Sequence, residues 1–117
     1  MFTEYLTIVE TPHFEREAKG LLDENALMNL KLLLAAKPEA GNVIKDSNGL
    51  RKLRFAIGNK GKSGGVRVIY YYYNSSLPVF LLDVYAKNRK ENLSQAELNE
   101  LSKLTELLRL KGGKNAQ

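Results

Sequence analysis

Three runs in the second half of the chain, 50–57, 66–73 and 79–87, alternate apolar and polar positions with a period of two and are rich in branched and aromatic residues. That pattern predicts three strands, each turning one face to a core. The connections between them, 58–65 and 74–78, are short and rich in turn-forming residues, which predicts an antiparallel meander rather than crossovers. Ahead of the meander, 2–9 suits a short first strand. Thr11-Pro12 reads as an N-cap followed by proline at the first helical position, opening a helix over 13–19 that Gly20 ends. Asp23 caps a second helix reaching Ala36, with Leu27, Leu30 and Leu34 as its apolar stripe. Ser94-Gln-Ala-Glu97 is a capping box, and Leu98, Leu101, Leu104, Leu107 and Leu108 mark one face of a last helix. The expected fold is α+β, an antiparallel meander sheet with an N-terminal helix pair and a C-terminal helix. It forms one domain over 1–117, divided into a strand and helix pair (1–44), a basic sheet (45–92), a helix (93–110) and a fraying tail (111–117).

Alternation also assigns faces. Pairing Ile57 with Val66 sets Phe55 opposite Val68 and Leu53 opposite Tyr70, a consistent core face, and places Lys52 opposite Tyr71 and Arg54 opposite Ile69. Pairing Tyr73 with Val79 sets Arg67 opposite Tyr85 and Ile69 opposite Asp83. One open face then gathers Lys52, Arg54, Arg67, Tyr71, Tyr85 and Lys87, while the other packs on helices.

Composition narrows the chemistry. The 117 residues carry 18 Lys+Arg against 13 Asp+Glu, a net charge of +5, with no cysteine and one histidine. Disulfides and thiolate metal sites are excluded, and a multi-histidine metal centre or His-paired catalytic dyad is not expected. No apolar run approaches the roughly 20 residues of a membrane span, and Glu4 and Glu10 are unlike a signal peptide's basic start, so a soluble cytoplasmic protein is expected. The charge is unevenly placed: 1–44 holds four bases and seven acids (−3), 45–92 ten bases and three acids (+7), and 93–117 four bases and three acids. So local an excess predicts an anionic partner, and bases interleaved with tyrosines suit single-stranded nucleic acid. His13, far from the basic segment in sequence, reads as a surface or packing residue.

The stretches Gly49-Leu-Arg-Lys-Leu-Arg-Phe55, Gly61-Lys-Ser-Gly-Gly-Val-Arg-Val-Ile-Tyr70 and Val84-Tyr-Ala-Lys-Asn88 resemble the RelE/ParE toxins of type II toxin–antitoxin systems, most of all the HigB-type and phage-derived Gp49-like branch. The resemblance implies a microbial-ribonuclease-like fold and a ribosome-dependent mRNA endoribonuclease. In that chemistry the ribose 2′-OH attacks the adjacent phosphate, leaving a 2′,3′-cyclic phosphate and a 5′-OH. It implies a cognate antitoxin, typically a helix-turn-helix protein, with the ribosome and mRNA as further partners and no cofactor or metal. Carried over by position, Lys52 and Arg54 match the family's basic pair, Arg67 its arginine after the glycine turn, and Lys87 its basic segment at the end of the last strand. Two positions depart: Asn88 stands where some RelE proteins have a second arginine, with Arg89 beyond it, and Asn92-Leu93-Ser94 replaces the region of a catalytic tyrosine.

On this reading Arg67 stabilises the phosphorane with its guanidinium fork, the alternative being an ion pair with Asp83. Lys52 or Lys87 is the candidate general base, with Tyr85 or Tyr71 as substitutes. Lys60, Lys62, Tyr71, Tyr85, Arg89 and Lys90 are the expected RNA contacts. A ParE-like inhibitor of DNA gyrase, acting by protein binding, and a non-catalytic RNA-binding domain are the alternatives.

Overall fold

The computed structural model describes residues 5–57 and 65–115, with side chains to Lys111. In chain order the elements are β1 (Ile8–Glu10), α1 (Pro12–Ala18), α2 (Glu24–Ala36), β2 (Asn42–Val43), β3 (Leu50–Phe55), β4 (Val66–Tyr71), β5 (Val79–Ala86) and α3 (Gln95–Asn115). The three helix starts follow from their caps. The Thr11 hydroxyl accepts from Phe14 N–H at 3.3 Å, Asp23 Oδ1 accepts from Ala26 N–H at 2.7 Å, and Ser94 and Glu97 bond each other's backbone N–H reciprocally.

The five strands lie in the order β1-β5-β4-β3-β2. The meander β3-β4-β5 is antiparallel as expected, but β1 runs parallel to β5, so the sheet is mixed. The short strand β2, which sequence alternation does not reveal, pairs with Arg51 and Lys52. Registers follow the expectation in part. Arg67 faces Tyr85 and Ile69 faces Asp83 as anticipated, and a bulge between Ile69 and Tyr70 shifts the pairing beyond them. Between β3 and β4 the pairing is displaced by two residues from the expected one: Phe55 meets Val66, Leu53 meets Val68, Lys52 meets Ile69, and Arg54 meets Arg67. A slip of two leaves every side chain on its predicted face, so the apolar pattern survives it.

Both faces of the sheet are covered, which corrects the expectation of one open face. On one side Phe14, Leu22, Leu30 and Leu34 of the α1–α2 pair bury Leu53, Val66, Val68, Tyr70, Leu81 and Val84. On the other, Leu98, Leu101, Leu104 and Leu108 of α3 pack on Leu50, Ile69, Tyr71, Leu82 and Tyr85. Leu107, expected in the same stripe, points to solvent. The final helix also continues to Asn115, beyond the expected end at 110.

Side chains tie the outer parts to the sheet. The Tyr70 hydroxyl donates to Pro38 O at 2.8 Å and accepts from Gly41 N–H at 2.7 Å, fixing the link between α2 and β2. Asp83 lies on β5 beyond the end of its pairing with β1; there its carboxylate accepts from Val84 N–H at 2.8 Å and pairs with His13 of α1 at 3.0 Å. Burial, partly offset by His13, holds the Asp83 carboxyl above its usual 3.8. The stability it contributes is therefore full below about pH 3.8 and lost as pH rises through the raised folded value. Asp83→Asn is expected to flatten that limb of the stability curve in denaturant titrations run upward from the ordinary carboxyl value of 3.8; an unaltered limb contradicts this.

Candidate active site

Strand pairing determines which cations meet. Arg54 of β3 and Arg67 of β4 are directly opposite, and Lys87 follows β5 at the same end of the sheet, its N–H donating to Gly65 O at 3.3 Å. Together Arg54, Arg67 and Lys87, with Phe55, Ala56 and Gly65, line a cavity of about 320 Å³ that holds no carboxylate among its lining residues. Gly65 lets the strands close here, since a Cβ would stand 2.9 Å from Phe55 O.

Arg67 is the central group, only 5% exposed. The expected alternative of an Arg67–Asp83 ion pair is absent, because Asp83 is taken by His13, and among the described residues Arg67 joins no salt bridge. Arg67 nevertheless lines the cavity. Two like charges directly opposite in a sheet destabilise it, and a third beside them adds to the cost. An anion entering the cavity would relieve that repulsion. Arg54→Gln is expected to raise folding stability by about 0.2–1 kcal/mol, with the gain shrinking in high salt. Thermal melts at two ionic strengths check it, and a loss of stability contradicts the repulsion.

Lys52 lies two residues before Arg54 on the same side of β3. Its ammonium donates to Asn92 Oδ1 at 2.7 Å, so the loop before α3 holds it in place. Asn92 occupies the region where the family's tyrosine was missed, and only the fold shows that it serves the lysine.

The remaining predicted residues separate. Tyr71 (3% exposed) and Tyr85 (5%) lie under α3, and neither ring is open to a base. Burial raises the Tyr71 hydroxyl, and burial with the nearby Asp83 charge pushes Tyr85 up to about 12, partly countered by Arg67. Burial thus makes both phenols harder to ionise than a free tyrosine's, which counts against the expectation that either serves as substitute base. Lys90 is held by Glu97 at 2.7 Å and sits 4.8 Å from the Tyr85 ring centre. Arg89 and Lys90 line a second cavity with His13, Asp83 and Glu97, apart from the one holding Arg54, Arg67 and Lys87. Lys60 and Lys62 lie outside the described residues. His13, read as a bland surface residue, is the partner that a buried acid in an apolar strand requires. Among the described residues no cluster of acidic or histidine side chains suits a metal ion.

Fold and cavity thus define a small basic α+β protein with a cavity lined by two arginines and a lysine and by no carboxylate. A family model described as the RelE toxin of the RelE/RelB toxin–antitoxin system matches residues 6–114, and the chain belongs to this toxin family. Among solved structures it is similar to a mutant form of the E. coli toxin RelE in the free state, at 16% identity and a TM-score of 0.56, over 82% of this chain and 96% of that one. As a toxin of this kind it has a cognate antitoxin for partner. Among the described residues no helix is long and apolar enough to cross a membrane.

Proposed function

We propose that this toxin is a ribosome-dependent, metal-independent mRNA endoribonuclease, acting in the cytoplasm and neutralised by a helix-turn-helix antitoxin. The carrying observation is the cavity in which Arg54, Arg67 and Lys87 converge without a carboxylate. The scissile phosphate occupies that cavity, and the guanidinium forks of Arg67 and Arg54 take its non-bridging oxygens. As the ribose 2′-oxygen bonds to phosphorus, negative charge grows on those oxygens, and the fixed cations stabilise the phosphorane more than the ground state. The bond to the 5′-oxygen then breaks. Lys52 stands beside Arg54 and Lys87 beside Arg67; one of them, reacting as the neutral amine, takes the 2′-OH proton, and the other, as the ammonium, gives a proton to the departing 5′-oxygen. The products are a 2′,3′-cyclic phosphate and a 5′-OH.

The test is the chemistry of the cut ends. Messenger RNA recovered after induction should carry 5′-OH ends that accept phosphate from a kinase without prior dephosphorylation, and cutting by purified protein should persist in a chelator. Ends bearing 5′-phosphate overturn the mechanism. Intact mRNA together with inhibited gyrase supercoiling points instead to a ParE-like mode of action.

A further inference from the structure

Tyr73 is the most open of its tyrosine run: the residue is 51% exposed, whereas Tyr72 is half-buried and Tyr70 and Tyr71 are buried. It is nevertheless held. The Tyr71 ring lies beside it with centroids 6.5 Å apart and planes 27° from parallel, and the Arg109 guanidinium of α3 stands 5.8 Å from its centre. An exposed aromatic ring with a fixed orientation is a stacking platform. It borders an open cavity of about 380 Å³ also lined by Asn48, Thr105, Glu106 and Arg109.

The wall of that cavity is built at a conformational cost. Asp46 (φ 56°) and Asn48 (φ 58°) adopt left-handed backbone, as does Gly49 (φ 94°), and the turn is fastened to α3 by Asn48 Nδ2 donating to Ser102 O and Ser102 Oγ donating to Ser47 O. The polar lining also has a direction. The Thr105 hydroxyl donates to Ser102 O, and the Asn48 amide nitrogen is used on the same carbonyl. The Asn48 Oδ1 and the Glu106 carboxylate are acceptors of the lining and suit an exocyclic amino group, while the donors of Arg109 lie over the Tyr73 ring. Tyr73 lies six residues beyond Arg67, roughly 20 Å at the rise of a strand, and because α3 covers Ile69 and Tyr71 between them an RNA strand joining the two sites runs around that helix. A short single strand whose phosphate sits at Arg67 reaches that far.

We infer that the Tyr73–Arg109 cavity is a nucleobase subsite for single-stranded RNA, stacking one base on Tyr73 and favouring the amino-bearing bases adenine, cytosine and guanine over uracil. The inference rests on the reading of the cationic cavity as the RNA-cleavage site, and it adds a second point of attachment that sets register and base preference.

Fluorescence anisotropy of the full chain with labelled eight-nucleotide oligoadenylate, oligocytidylate and oligouridylate tests it. The unsubstituted protein should bind the first two more tightly than oligouridylate. Tyr73→Ala should weaken oligoadenylate binding roughly tenfold, while Tyr73→Phe, which keeps the ring, leaves it near the parent value. Glu106→Gln should erase the preference over oligouridylate. Equal binding by Tyr73→Ala and the parent overturns the subsite, as does a Tyr73→Ala defect confined to antitoxin binding. If mRNA is still cut while Tyr73→Ala binds RNA normally, the subsite fails and the nuclease reading stands. Ring-dependent binding without mRNA cutting has the reverse meaning.

Discussion

Arg67→Ala is expected to reduce mRNA cleavage by about 10²–10³-fold, the effect of removing one preorganised donor from a developing oxyanion. The guanidinium is sunk in the sheet, opposite Arg54, and has no acid to neutralise it among the described residues. Among the described residues no acid pairs with that charge, which supports the proposal that it serves the substrate phosphate. Arg67→Lys keeps the charge but loses the planar fork, and cleavage should fall between the parent and alanine values. Thermal melts should show both variants folded, because each also removes or softens a like-charge contact. Full cleavage by a folded Arg67→Ala variant contradicts the assignment.

The second large effect is on stability. Phe14→Ala is expected to cost about 3–5 kcal/mol in urea unfolding, the range for emptying a fully buried aromatic site. Phe14 is 0% exposed, and α1 has only seven residues, too few to be helical without tertiary support. Its packing holds the helix that delivers His13 to Asp83 and closes the uncovered part of β5. A cost below about 1 kcal/mol would mean that α1 is only loosely attached.

Much of this molecule was legible from periodicity because caps and alternation are local signals. Thr11, Asp23 and Ser94 each open the helix expected of them, and Arg67 faces Tyr85 as alternation requires. What alternation cannot distinguish is a register from one displaced by two, since the faces are identical. For that reason the Arg54–Arg67 opposition, the most informative feature of the site, emerged only from the paired strands. The leucine stripe of α3 was equally plain, but a stripe does not say which face it covers. Its choice of Ile69, Tyr71 and Tyr85 removed two expected RNA contacts and left Tyr73 exposed. Contacts such as His13 with Asp83, 70 residues apart, and Lys52 with Asn92, 40 apart, have no local signature. They follow from the topology that brings α1 and the α3 loop to the sheet.

The most direct test is primer extension on a defined mRNA in a purified translation system, with and without ribosomes, comparing the parent protein with Arg67→Ala. The account predicts discrete new 5′ ends within the translated region, present only with ribosomes and lost in the variant. Uncut mRNA with the parent protein, or identical cutting by both proteins, contradicts it.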